Sequence, residues 1–458
     1  MSDLRDALDG LAGQDPHALV AARDGAVVLR ATWAPYDTEH PALVYSVSKS
    51  LTALAVLLLE SEGRLRLDDP VDRHLDVPNP HGITLRHLLT MSTGHSREQT
   101  GGMPVDPVVL LTTPPAHPVG SRFAYSSPAT GTLARVIAAV AGTQPSAYLR
   151  PRLLDPLGIG ERWWRPLGGV EQGFSGLHLT VDDQARLGML LAAGGVTPDG
   201  QRLLPASLVE ALATTFVPTA DTGVEDHASA EPDPAADDWA RGYGYGVWRS
   251  RHGYRMDGAY GQFTLVVPES GVVVAYQGAA MDTQRTLDAL WRLVAALATG
   301  APGGSAREVG PDSWAARDAY VPQDLPGLHA GGWALADHAG GWRLTLPSGA
   351  GQPGGTLDLV PDRWTTGALT LRPGDVALGA PADPVPDGVV PVAGRAERLP
   401  DGSVRAHLVA TASPHRLLLT RAADGTLSAR WHTAPLWSPT PATLLVPPLV
   451  AAPARGPS

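Results

Sequence analysis

Cysteine is missing from all 458 residues, and lysine occurs once, at position 49. The lack of cysteine excludes disulfides, thiolate nucleophiles and cysteine-ligated metal, and it fits a reducing compartment. The 15 histidines form no His-x-His and no His-Glu-x-x-His pattern, so no metal site is expected. There is no Gly-x-Ser-x-Gly elbow of the α/β-hydrolase kind and no phosphate loop. No apolar run reaches the ~20 residues needed to span a bilayer. The opening stretch MSDLRDALDGLAGQDPH lacks a basic n-region and an apolar h-region, so no signal peptide is expected and the cytoplasm is the expected location. A net charge of −11 argues against nucleic acid and anionic membranes as partners.

What is present describes an ordinary globular chain, 43% hydrophobic and 18% charged. Its length exceeds one typical core, so two domains are expected. Residues 18–32 read as a β-hairpin around Asp24-Gly25, and residues 263–277 as a second. Between them the stretch from Ser46 to Glu62 is apolar on nearly all sides and stops at Gly63, the pattern of a buried helix. Further helices are expected at Leu85–Met91, Thr130–Ala141, Thr180–Ala193, Ala206–Ala213 and Thr283–Thr299. Hairpins at both ends imply one antiparallel sheet assembled from the two ends of domain 1–300, beside a helical region. Residues 301–326 read as a linker. Residues 327–446 show short β-rich runs separated by Gly, Pro and Asp, which predicts an antiparallel β domain. The tail 447–458 and the acidic, Pro/Ala-rich segment Thr219–Asp238 are expected to be without fixed structure.

The other 34 basic side chains are arginine, so a single ammonium stands out. A GC-rich genome explains scarce lysine but not its survival at one place. Arginine cannot lose its proton in a protein, whereas a buried lysine can. Lys49 is therefore expected to serve at some moment as a neutral amine. Ser46 stands three residues earlier, on the same helical face and at the helix start, where the dipole favours developing negative charge. A neutral lysine within reach can take the proton of a serine hydroxyl that attacks a carbonyl. The plain alternative is Ser46 as N-cap and Lys49 extended to solvent.

A second element, RFAYSSPATGTLARVIAAVAG, puts Tyr125-Ser126-Ser127 before an apolar helix. With Ser-x-x-Lys and Tyr-x-Ser in this order, the chain resembles the serine β-lactamase and penicillin-binding-protein-like hydrolases. That class includes class C β-lactamases, DD-peptidases and many esterases. YSVSKSLTALAVLLLESEGRLRLDDPVDRHL, ITLRHLLTMSTGH, LRPRLLDPLGI and MDGAYGQFTLVVPESGVVVAY carry the resemblance further, over about residues 15–300. It implies a β-lactamase-like α/β fold, followed by a C-terminal lipocalin-like barrel by analogy with similar hydrolases. It implies Ser46 as the acylated nucleophile, with Lys49 and Tyr125 sharing the proton transfers and Ser127 supporting them. Without the resemblance, Tyr125 would read as an amphipathic ring at a helix entrance and Ser127 as an N-cap.

The third motif departs from the family. Met256, Asp257 and Gly258 stand where Lys-Thr-Gly would align. Gly258 lets substrate lie close to the strand, and the Ala259 N–H would pair with the Ser46 N–H as an oxyanion hole. The cation is missing, and Asp257 would repel a substrate carboxylate, which disfavours β-lactams and points to neutral or amine-bearing substrates. Arg255 is expected to point away from the neighbours of Asp257, and His252, just before the motif, is a candidate binding residue. His95 is expected to be structural, and the rings of GYGYGVW (242–248) to line either the cleft or the core. The implied function is acyl transfer through Ser46, on a small ester, amide or peptide-like substrate, without cofactor, in a monomer or homodimer. The alternatives are a transacylase or thioesterase, which passes the acyl group to an amine or alcohol, and an idle binding protein on the same fold.

Overall fold

A computed structural model describes residues 2–219, 237–299, 307–309, 327–328, 332–347, 353–361, 363–371 and 388–436. The chain divides into two compact units. One comprises Met1–Trp33 and Leu43–Arg317, the other Ala34–Ala42 and Asp318–Ser458. The short segment Ala34–Ala42, expected in the first domain, thus groups with the second unit.

The first unit is built on a seven-stranded sheet. Its strands are β1 (Pro16–Arg23), β2 (Ala26–Thr32), β3 (Trp248–Arg249), β4 (Tyr254–Gly258), β5 (Gln262–Val267), β6 (Val272–Gly278) and β7 (Arg307–Val309), in the order β7-β2-β1-β6-β5-β4-β3. The two hairpins expected at the ends of the domain meet where β1 pairs antiparallel with β6. β7 adds in parallel to β2, so a strand interrupts the expected linker. The rest of that linker, Thr219–Asp238 apart from its ends, and the tail 447–458 lie outside the described residues.

Alternation along β1 serves two faces. Ala18 and Val20 pack with Val181 and Ala185 of a helix over Val181–Ala192. Leu19 and Ala21 join the main core with Leu8 and Leu11 of an N-terminal helix (Ser2–Ala12) and Leu290 of the helix Thr283–Thr299. The N-terminal helix was not expected from its acidic residues, although Leu4, Ala7, Leu8 and Leu11 recur at helical spacing.

Two helices carry the site. Helix α1 (Val47–Ser61) buries every residue from Val47 to Leu59, as its all-round apolar sequence requires. Each of its leucines contributes roughly 1.5–3 kcal/mol of burial. Gly63, at φ 69°, provides the left-handed turn that lets the chain leave it. Helix α2 (Ser127–Ala141) is capped by the Ser126 hydroxyl, which accepts from the Ala129 N–H at 3.1 Å. Ser126, not Ser127, is the N-cap, so the Ser127 hydroxyl is left for other contacts.

The second unit is a nine-stranded sheet. β8 (Gly327–Leu328) pairs with the last strand, and the others, β9 (Ala334–His338), β10 (Gly341–Leu346), β11 (Pro353–Leu359), β12 (Thr365–Leu371), β13 (Gly388–Arg398), β14 (Val404–Ala410), β15 (Arg416–Arg421) and β16 (Leu427–Thr433), form a meander. Its edges, β8 and β9, are neighbours in sequence. Six residue steps from Leu328 to Ala334 reach at most about 21 Å, whereas nine flat strands would span roughly 38 Å. The sheet is therefore curled into a half-barrel around Leu344, Ala406, Leu419 and Trp431. Among the described residues β8 and β9 do not pair, so the barrel-like second unit is a curled half-barrel.

Candidate active site

The start of α1 is held in an unusual backbone shape. Tyr45 has φ 47°, in the left-handed region that costs a non-glycine residue energy. Its carbonyl accepts from the Ser48 hydroxyl at 2.6 Å, and its ring meets Tyr260 edge-on at 5.7 Å. Tyr260 is itself at φ 63°. Two strained tyrosines thus flank Ser46 and Ala259. Ser46 sits at the N-cap position but makes no side-chain cap hydrogen bond. The N-cap alternative for Ser46 does not hold, because its hydroxyl faces Lys49 instead.

Lys49 is only 2% exposed. Its Nζ lies 3.0 Å from Ser46 Oγ, 3.4 Å from Ser127 Oγ and 2.9 Å from the Phe174 carbonyl oxygen. Nζ also stands 4.7 Å from the centre of the Tyr125 ring. Burial pulls the Lys49 pKa down to about 7, against an opposing pull from the Asp257 carboxylate. The solvent-extended alternative for Lys49 is likewise excluded. Around this buried amine Ser46, Tyr125, Ser127, Asp257 and Ala259 are each partly exposed, so they form the reachable surface of the site.

The Tyr125 hydroxyl hydrogen-bonds Ser46, and burial pushes its pKa up. The ring is stacked on Trp248 at 5.7 Å and meets Tyr243 edge-on at 6.2 Å. Both partners come from the GYGYGVW segment and are core residues that also form the wall behind Tyr125. Tyr245, from the same segment, instead stacks on Phe216 and accepts from Arg86.

At Gly258 the backbone comes close to the helix start. A Cβ there would lie 2.3 Å from the Val44 carbonyl oxygen and 3.3 Å from the Ser46 nitrogen, so only glycine fits. Among the described residues neither the Ser46 N–H nor the Ala259 N–H has an acceptor. Two free donors beside one serine hydroxyl can hold an oxyanion.

The third-motif residues are arranged differently from expectation. Arg255 does not point away: its Nε donates to Asp257 Oδ2 at 2.8 Å. Residues two apart on a strand share a face, which is the step the expectation missed. Arg255 is completely enclosed, and its Nη1 also reaches the carbonyls of Asp238 and Arg249 and the Ser250 hydroxyl. Asp257 is 12% exposed; burial raises its pKa, while Arg255 and the Trp239 indole pull it back. Met256 is fully buried. His252 does not join the cluster. It is exposed at the far end of β4 from Gly258, its ring against Trp291 at 5.6 Å. His95 is buried between Thr93 Oγ1 and the Thr113 carbonyl, a structural place as expected. Sequence reasoning missed the Phe174 carbonyl and Arg165. Arg165 is a partly buried guanidinium felt by Tyr45, and burial lowers its pKa to about 10.

A β-lactamase-like fold with a serine, a lysine and a tyrosine joined at the start of a buried helix defines a protein of the serine hydrolase class. The Beta-lactamase family pattern matches residues 8–299, and the chain belongs to that family. Penicillin-binding protein 4 of Amycolatopsis lactamdurans is 26% identical over 293 residues, 54% of this chain and 74% of that protein. A relative from Bacillus subtilis (strain 168) is 31% identical over 120 residues, but the match spans only 31% of its length and 25% of this chain. Among solved structures, the octameric penicillin-binding protein homologue from Pyrococcus abyssi aligns with TM-score 0.52 and 16% identity, over 94% of this chain and 98% of its own. The beta-lactamase/D-alanine carboxypeptidase from Yersinia pestis aligns with TM-score 0.50 and 19% identity, over 65% of this chain and 96% of its own. At these identities the structural likeness concerns the fold. Among the described residues no helix is long and apolar enough to cross a membrane.

Proposed function

We propose that this protein is a hydrolase of small esters, with amides and peptide-like compounds as related substrates, working through an acyl-enzyme on Ser46. The observation that carries the reading is the placement of the single lysine: Nζ 3.0 Å from Ser46 Oγ, in surroundings that bring its pKa to about 7. A neutral Lys49 takes the Ser46 proton as Oγ attacks the substrate carbonyl. The Ser46 and Ala259 N–H groups stabilise the oxyanion. Collapse of that intermediate expels the leaving group, which receives a proton from Lys49 through the Tyr125 hydroxyl. Ser127 holds Lys49 through the cycle. Water then attacks the acyl-Ser46 ester with Lys49 and Tyr125 again moving the proton.

The substrate side of the reading rests on the third motif. Its only arginine is enclosed and paired with Asp257, so no exposed cation there holds a substrate carboxylate. Neutral aryl esters therefore suit the site better than penicillins. The test is intact-mass detection of an adduct on Ser46 after brief exposure to p-nitrophenyl acetate, an aryl amide and penicillin G. An ester-derived adduct that disappears in Ser46→Ala supports the reading, and a Ser46→Ala protein that is still labelled overturns it.

A further inference from the structure

We propose that Asp257 is a recognition carboxylate for a substrate ammonium group, so that amine-bearing acyl compounds are the preferred substrates. This rests on the acyl-enzyme reading for the reaction, but the recognition stands on separate observations.

The first is position. Asp257 precedes Gly258, whose backbone lies against the Ser46 nitrogen. Its side chain is reachable, at 12% exposure, while Arg255 and Met256 before it are fully enclosed. The second is its fixed orientation. Arg255 Nε and the Trp239 indole hold the carboxylate, and Arg255 is itself fixed by three acceptors and lies over the Trp239 ring at 4.6 Å. A carboxylate offers about four lone-pair positions, so two donors leave room for a ligand N–H. The third is direction. The Asp257 charge is felt by Lys49, Tyr125 and Tyr243, so it lies toward the catalytic cluster.

Order of access decides the sign of the preferred ligand. Among the described residues the buried Nη2 of Arg255 has no hydrogen-bond partner. That donor cannot greet a carboxylate ligand, because the guanidinium is sealed and Asp257 stands in the exposed place. An ammonium meets a preorganised acceptor whose partner cation lies behind it. Such a charge-assisted contact is roughly twice as strong as a neutral hydrogen bond.

Full-length Ser46→Ala protein, titrated by calorimetry near neutral pH, separates recognition from turnover. The probes are 3-phenylpropylammonium, 3-phenylpropanol and 3-phenylpropanoate. The expected result is ammonium binding about tenfold tighter than the alcohol, with the carboxylate weakest. The gap should shrink in high salt and close in Ser46→Ala/Asp257→Asn or Ser46→Ala/Asp257→Ser. Equal affinity for amine and alcohol overturns the proposal without needing any Asp257 variant, as does an absence of ammonium binding. A carboxylate preference that survives the Asp257 changes also overturns it and points to Arg165. A second arm compares kcat/KM of the wild-type enzyme for phenyl 4-(aminomethyl)cyclohexanecarboxylate and its 4-ethyl analogue. Turnover of neither, with ammonium binding intact, overturns the acyl-enzyme reading and leaves the recognition standing.

Discussion

Lys49 Nζ lies 3.0 Å from Ser46 Oγ, and the same nitrogen is within reach of two further acceptors, the Phe174 carbonyl and the Ser127 hydroxyl. A neutral amine has two N–H donors and one lone pair. It can give its two protons to Phe174 and Ser127 and accept from Ser46. A protonated amine can donate to all three. The cage therefore satisfies Lys49 before and after it takes a proton, which a shuttle requires and a fixed charge does not.

Ser46→Ala removes the proposed nucleophile and should reduce kcat/KM by about 10³-fold or more, with little change in Tm. Ser48→Ala should behave in the opposite way. The Ser48 hydroxyl donates to the Tyr45 carbonyl at 2.6 Å and accepts from the Leu177 N–H at 3.3 Å. Its loss leaves buried groups unpaired and should cost about 1–3 kcal/mol of stability. Activity per folded molecule should stay within about tenfold. Denaturant titration beside ester turnover checks both, and a Ser46→Ala enzyme that still turns over defeats the assignment.

Tyr125→Phe keeps the ring on Trp248 and removes the hydroxyl that bonds Ser46. A proton-transfer role predicts a loss of about 10²-fold or more in kcat with an unchanged melting curve. A variant within threefold or so of wild type would leave Tyr125 as a wall residue, as its stacking alone would suggest.

The paired third motif predicts selectivity. A p-nitrophenyl ester should exceed penicillin G in kcat/KM by well over tenfold, because no exposed cation on β4 complements the penicillin carboxylate. Parallel steady-state assays decide this, and comparable rates for the two would mean that another cation, with Arg165 the first candidate, does that work.

Arg255→Leu strips the partner from a largely enclosed Asp257 and should destabilise the protein by about 3–5 kcal/mol. Replacing both residues, as Arg255→Leu/Asp257→Leu, removes the uncompensated charge and should recover more than half of that loss. Chemical denaturation of the single and double variants measures it. A single variant as stable as wild type would show that the pair has no structural weight.

The sequence made some of this legible because the deciding contacts are local. Ser46 and Lys49 are three apart on one helix, and α1 is apolar all round. The Asp24-Gly25 turn sits between two β-rich runs. What escaped depends on distant partners. The acceptor at Phe174 is a backbone carbonyl 125 residues from Lys49, and any residue there would supply one. Tyr243 and Trp248 read equally as core or cleft, and both are buried in the core behind Tyr125. Ser126 rather than Ser127 caps α2, a choice made by one residue of helix phase. How far the second sheet curls is set by its accumulated curvature, which no single strand encodes. Arg255 was legible in principle, since even spacing on a strand puts it beside Asp257.

The last expectation concerns Lys49 itself. Burial lowers its pKa to about 7, so the neutral amine is the minor form below that pH and the major form above it. If the neutral form is the base, kcat/KM must rise with pH through about 7 and level off above it. One unit below the midpoint, activity should be about tenfold under the plateau, following one ionisation. A role as a fixed positive charge predicts the reverse, with activity falling as pH rises through the same region. Substitution separates the two roles a second way. Arginine keeps the charge and cannot lose its proton, so Lys49→Arg should fail nearly as badly as Lys49→Ala. Its longer fork must also fit among Ser46, Ser127 and Phe174, so folding is checked by circular dichroism and melting. Folded Lys49→Arg with activity within about tenfold of wild type, a loss under roughly 1.4 kcal/mol, would remove the general-base role.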